Sequence, residues 1–150
     1  TVSFCASRWI DQEGQALLSR VYRKWRKGFV MEGKEFIRRY LLGYNFICNA
    51  SAVVMRRSAT VGVSDQCMNY RASGDRQFWI EMALQGYVSY CPEVLNGFRQ
   101  HPGKVSNRAS KAGENTREDL AIYATYRAQL GLSLWERVKI RLYHLRARLA

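Results

Sequence analysis

At 150 residues, 47% of them apolar, the chain has the size of one domain and enough hydrocarbon to bury a core. It has no run of about eighteen uncharged apolar residues and no charged-then-apolar opening, so neither a spanning helix nor a signal peptide is expected. The formal charge of +12 points to an anionic partner: a phosphate-bearing substrate, an anionic membrane or nucleic acid.

That charge is concentrated. Residues 20–39 hold eight basic against two acidic side chains, and residues 134–150 hold five against one. Cys5, Cys48, Cys67 and Cys91 are far apart, and only two histidines accompany them. Zinc is therefore not expected, and the cysteines read as free thiols behaving as small hydrophobes in a reducing compartment.

In chain order, residues 2–6 read as a strand end and Asp11-Gln12-Glu13-Gly14 as the turn that stops it. Residues 15–30 fit two patterns. Leu17, Leu18, Val21, Tyr22 and Trp25 recur at helical spacing, while the basic opposite face also suits a mobile substrate-side loop. Residues 33–42 read as a short helix carrying Phe36, Ile37, Tyr40 and Leu41, ended by Gly43. The run Ala50-Ser51-Ala52-Val53-Val54-Met55 has the low polarity of a strand buried on both faces. After Ser73-Gly74-Asp75, residues 76–84 show a helical stripe of Phe78, Trp79, Met82 and Ala83, closed by Gly86. Two short strands follow, 87–91 and 94–98, split by Pro92, and from Glu114 onward two helices are broken at Gly131. The order is α/β in the middle and helical at the end.

Three blocks stand in order along this frame: Asn45-Phe46-Ile47-Cys48-Asn49-Ala50-Ser51-Ala52-Val53-Val54-Met55-Arg56-Arg57-Ser58, then Gly74-Asp75-Arg76-Gln77-Phe78-Trp79, then Tyr90-Cys91-Pro92-Glu93-Val94-Leu95-Asn96-Gly97-Phe98-Arg99-Gln100-His101. Over residues 2 to 107 the chain resembles the second, acceptor-side half of the catalytic domain of bacterial family 2 glycosyltransferases of the GT-A fold. The resemblance implies an α/β fold: a partial GT-A (nucleotide-diphospho-sugar transferase-like) domain, with a short mixed sheet, flanking helices and a helical C-terminal tail. Residues 1–113 would form the acceptor-side half and residues 114–150 a helical extension outside the resemblance.

In that family an aspartate at a helix N-terminus is the general base, and Asp75 matches it. A sugar hydroxyl is a poor nucleophile, and a carboxylate held against it removes its proton as the bond to the anomeric carbon forms. An N-cap role suits the same residue. Gly74 stands where the family usually has Glu, beside the acceptor. Arg99 and His101 match the family's Arg-any-His, which implies that His101 meets a Mn²⁺ or Mg²⁺ or the donor diphosphate and that Arg99 lies near the same charge. The alternative for His101 is a surface histidine before a Pro-Gly turn. Asn49 and Ser51 match the polar residues that border the donor sugar and acceptor; bonding to their own backbone is the other reading. Trp79, four residues after Asp75, is placed either to stack on an acceptor sugar ring or to join the core.

The four aspartates, Asp11, Asp65, Asp75 and Asp119, form no Asp-any-Asp pair, and no Gly-rich phosphate loop occurs. The resemblance places those elements N-terminal to a strand like that at 2–6. The metal and nucleotide are thus expected mainly on a donor-binding half outside these residues, and the chain alone is expected to transfer no sugar. In the tail, Leu134, Trp135, Val138, Leu142, Leu145 and Leu149 fall at three-and-four spacing, with Arg137, Lys139, Arg141, His144 and Arg148 on other faces. That pattern suits an interfacial helix on an anionic membrane, or a helix packed on the domain with a solvated basic face outward.

The function expected is inverting transfer of a sugar from a nucleotide-sugar donor to a glycan or lipid-linked acceptor, in the cytoplasm, peripherally on the inner face of the cytoplasmic membrane. A basic nucleic-acid-binding module is the alternative, resting on Tyr22-Arg23-Lys24-Trp25-Arg26-Lys27, yet no helix-turn-helix, RNA-recognition or zinc-finger signature accompanies it, and nucleic acid is not expected as a partner. A non-catalytic interaction domain derived from the transferase fold is a third reading.

Overall fold

A computed structural model of the chain describes residues 1–101 and 113–149, without the side chains of residues 18–20 and 146–149. Residues 102–107 at the end of the family resemblance, and the Leu149 and Arg148 side chains of the tail pattern, therefore lie outside the described residues. The described strands are β1 (Val2–Ile10), β2 (Ala16–Tyr22), β3 (Phe29–Glu32), β4 (Val53–Met55) and β5 (Tyr87–Arg99). The helices are α1 (Gly33–Phe36, running on into a π-helical Ile37–Leu41), α2 (Arg57–Thr60), α3 (Gly74–Leu84), α4 (Glu114–Gln129) and α5 (Leu134–Leu149).

The fold is mixed α/β. Its five-stranded sheet has the order β2-β1-β5-β3, with β4 also paired to β1. β1 is central. Val2, Phe4 and Ala6 point into the core from one face, the alternation expected of a strand covered on that side. β5 runs parallel to β1, whereas β4 (against Val2–Phe4) and β2 (against Ser7–Ile10) pair antiparallel with it. β3 lies antiparallel along β5.

Several expectations are corrected. Residues 16–22 form a strand, neither the helix nor the loop expected, because the turn at residues 11–14, closed by the Gln15 N–H on Asp11 Oδ1 (2.7 Å), folds the chain back along β1 and the sheet ladder overrides the helical spacing. Residues 50–55 are a 3₁₀ turn (Ala50–Ala52) followed by a three-residue strand, and Val54 is 77% exposed, so that strand is not buried on both faces. Pro92 does not split two strands. β5 is continuous, and the irregularity is absorbed in register: it spends residues 91 to 96 where β1 spends residues 5 to 7, since proline has no N–H for the ladder.

The core lies between the inner face of the sheet and the helices. Phe36, Ile37, Leu41, Leu42, Ile80, Met82 and Ile122 are fully buried, each contributing about 1.5–3 kcal/mol by leaving water. Residues after 114 share this core: Ile122, Tyr123, Tyr126, Leu130, Leu132 and Ile140 join the same cluster as Phe4 and Trp79. Gln77 on α3 donates to Tyr126 Oη (2.6 Å) and to Glu81 (2.7 Å), a polar tie between α3 and α4. Gly131, at φ 59°, takes the left-handed conformation that ends α4. Ser133 and Glu136 then form a reciprocal capping box at the start of α5, with Ser133 N–H on Glu136 Oε2 at 2.8 Å and Glu136 N–H on Ser133 Oγ at 3.3 Å.

Trp25, in the basic loop between β2 and β3, packs edge-on against Phe29, Tyr40 and Tyr90 with centroids 4.9–5.1 Å apart. His144 belongs to the packed side of α5, not to a cationic face: it is buried, with Nε2 3.0 Å from the Leu42 carbonyl oxygen.

Candidate functional site

A cavity of about 560 Å³ is lined by Tyr44, Asn45, Ser73, Asp75, Arg76, Asn115, Arg117, Asp119 and Tyr143 among others. It lies where α3, the 43–45 turn, α4 and α5 meet. Asp75 is the second residue of α3, so its carboxylate stands at the positive end of a helix of 11 residues. One oxygen, Oδ1, accepts the Arg76 N–H at 2.7 Å; the N-cap position itself is Ser73, so Asp75 stands inside the first turn rather than at the cap. The other, Oδ2, accepts from Asn45 Nδ2 at 3.1 Å.

Asn45 is itself pinned. Its amide oxygen accepts the Ile47 N–H at 3.1 Å, an Asx-type turn that turns the NH₂ group towards Asp75. Asp75 is exposed by area, yet protein surrounds the carboxyl closely enough that desolvation dominates its titration. Burial pushes its pKa up from the ordinary aspartate value against the lowering effect of the Arg76 N–H and guanidinium, and the charge of Asp119 adds to the rise. The result is a carboxylate that is more basic than a free one and open to a cavity.

The loop leading into Asp75 is held from α4. Glu118 accepts the backbone N–H groups of Arg71, Ala72 and Ser73 at 2.9, 2.9 and 2.8 Å. Asp119 accepts the Ser73 hydroxyl at 2.7 Å and pairs with the buried Arg76 guanidinium at 2.9 Å, an ion pair without in-line hydrogen-bond geometry. Sequence reasoning missed Glu118, Asp119 and Arg76 as parts of the site. Only the two adjacent acids near the start of a helix hinted at them.

Asn49 and Ser51 form a separate cluster. Asn49 Nδ2 donates to Ser51 Oγ (2.6 Å), Ser51 Oγ to Asn96 Oδ1 (2.9 Å), and Asn96 Nδ2 to both Asn49 Oδ1 (3.0 Å) and the buried Ser7 Oγ (2.9 Å). These side chains bond one another across β1 and β5 rather than their own backbone, and neither Asn49 nor Ser51 lines the Asp75 cavity. Asn96, from the third sequence block, is the member on which the others converge.

Gly74 is required by space. A Cβ there would sit 2.6 Å from the Cys67 carbonyl oxygen, so the 65–69 turn occupies the volume that a glutamate would need. Of the two readings open for Trp79 the structure bears out the core: it is only 2% exposed, belongs to the hydrophobic cluster and does not line the cavity. Arg99, near the end of β5, donates from Nη1 to the carbonyl oxygens of Asp11 (2.9 Å) and Gln12, bracing the β1–β2 turn. His101 is exposed just beyond β5. Neither residue lines the Asp75 cavity, and among the described residues no group of three or more His, Cys, Asp or Glu side chains is arranged to hold a metal ion. None of the four cysteines is in a disulfide, and each is half-buried. No described helix is long and apolar enough to cross a membrane.

Compared with known proteins, the chain matches no family model, no curated protein and no solved structure.

Proposed function

We propose that the chain is the acceptor side of an inverting glycosyltransferase of the family 2, GT-A type, with Asp75 as general base. The observation that carries this reading is a carboxylate of raised basicity at a helix N-terminus, one oxygen bonded to the helix and the other to Asn45, on a residue that lines a cavity of about 560 Å³, within the range of small-molecule sites. The sequence blocks that resemble the family supply the reaction class.

In this mechanism Asp75 Oδ2 takes the proton of an acceptor hydroxyl while that oxygen bonds to the anomeric carbon on the face opposite the leaving group. The bond from that carbon to the diphosphate oxygen breaks, and its electron pair leaves with the nucleoside diphosphate. Asn45 orients the base, and Glu118 and Asp119 fix the loop that presents it. A divalent cation, Mn²⁺ or Mg²⁺, held mainly by a donor-binding half outside this chain, would neutralise the leaving diphosphate. Asn49 and Ser51, set by Asn96, would border the donor sugar, and Arg99 and His101 would stand at the diphosphate end. In this reading the acceptor is a glycan or lipid-linked sugar and the site of action is the cytoplasmic membrane's inner face.

The nucleic-acid alternative is disfavoured by the packing of Trp25, whose ring is spent on Phe29, Tyr40 and Tyr90 rather than presented for base stacking. The test is sugar transfer by this chain joined to a nucleotide-sugar-binding half, with and without Asp75→Asn. Transfer by the 150 residues alone would contradict the division of labour.

A further inference from the structure

A helix on the surface of a domain needs one apolar face; α5 has two. Ile140 and His144 point inward, 5% and 4% exposed. At about 100° per residue, the opposite arc carries Leu134, Trp135, Val138, Leu142 and Leu145, and these are 78%, 75%, 41%, 51% and 53% exposed. Nothing in the described fold covers that arc.

Its margins say what does. On the same wheel Arg141 borders the arc on one side and Lys139 on the other, both exposed, with the exposed Arg137 beyond Arg141. Glu136, the single acid of the helix, is turned back to cap Ser133. Beside Lys139 a groove of about 220 Å³ runs between α5 and the π-helical segment, lined by Trp135, Tyr143, Phe46, Lys24 and Arg39, so the basic margin continues onto a second element. An apolar arc between two cationic margins, with an exposed tryptophan at its edge, is complementary to acyl chains below and phosphate headgroups above.

We propose that α5 is a membrane-docking helix that lies flat on an anionic phospholipid surface, with Leu134, Trp135, Val138, Leu142 and Leu145 in the acyl boundary and Lys139 and Arg141 on the headgroup phosphates. The proposal stands independently of the transferase chemistry, because no residue of the docking arc touches Asp75.

The test is co-sedimentation of the full 150-residue chain with phosphatidylcholine vesicles, with and without phosphatidylglycerol. The wild type pellets with the anionic vesicles and stays in solution with the neutral ones. Val138→Glu/Leu142→Glu abolishes pelleting. Lys139→Glu/Arg141→Glu weakens it at least about tenfold, since each cation at the surface contributes severalfold in affinity. Both variants keep the wild-type unfolding midpoint because the side chains replaced are exposed. Equal pelleting with both vesicle types, pelleting with neither, or α5 variants that bind like the wild type would overturn the proposal. So would a wild type that dimerises in solution and becomes monomeric with Val138→Glu/Leu142→Glu, which would assign the arc to a second copy of the chain.

Discussion

Removing the Glu118 carboxylate should loosen the loop that presents Asp75. In Glu118→Ala three N–H groups lose their acceptor, at 2.8–2.9 Å each. The Arg71 N–H is exposed and water can replace the carboxylate, whereas the Ala72 and Ser73 bonds are partly buried. With about 1.5 kcal/mol for each of those two charge-assisted bonds, the loss is about 3 kcal/mol. Glu118→Gln keeps an oxygen for Ala72 and Ser73 but sets an NH₂ group against the Arg71 N–H, and should cost about 1 kcal/mol. Urea unfolding at constant m-value gives the stability, and hydrogen exchange at residues 71–73 localises it. An alanine variant within about 0.5 kcal/mol of wild type, or unchanged exchange at 71–73, would refute the clamp.

The stability of Asp75→Asn relative to wild type should rise with pH. Because the folded-state pKa of Asp75 is raised, its ionisation costs the wild type stability above that pKa, and the cost vanishes as pH falls through it towards the ordinary aspartate value near 4; the difference in unfolding midpoints across pH will show this trend. Gly74→Glu should destabilise by about 1–3 kcal/mol in thermal unfolding because its Cβ meets the Cys67 carbonyl. Asn96→Ala should cost about 1–3 kcal/mol by stranding Ser7, Asn49 and Ser51, measurable by denaturant unfolding and by shifted Asn49 side-chain amide resonances.

How much was legible beforehand depended on the range of the forces. Helix α3, its start beside Asp75 and its Gly86 stop follow from local pattern, as do α4, α5 and the break at Gly131. Strand β2 was misread because helical spacing of Leu17, Val21 and Trp25 is a local signal, while pairing with Ser7–Ile10 is decided across a turn. Asp75 was singled out by the resemblance of its block to a known family, residue type alone favouring a helix cap. Its companions were not, because Asn45 is 30 positions away and Glu118 pairs with a loop 45 or more positions upstream. Trp79 shows the converse: four-residue spacing puts two side chains near one face, but only packing decides that the indole is core and the carboxylate is open.

The central claim is that the Asp75 carboxylate accepts the acceptor's proton. Turnover by this chain joined to a donor-binding half, wild type against Asp75→Asn, tests it most directly. The account predicts a fall of about 10²–10⁴-fold in kcat with nucleotide-sugar affinity unchanged. Turnover within a few-fold of wild type would contradict it.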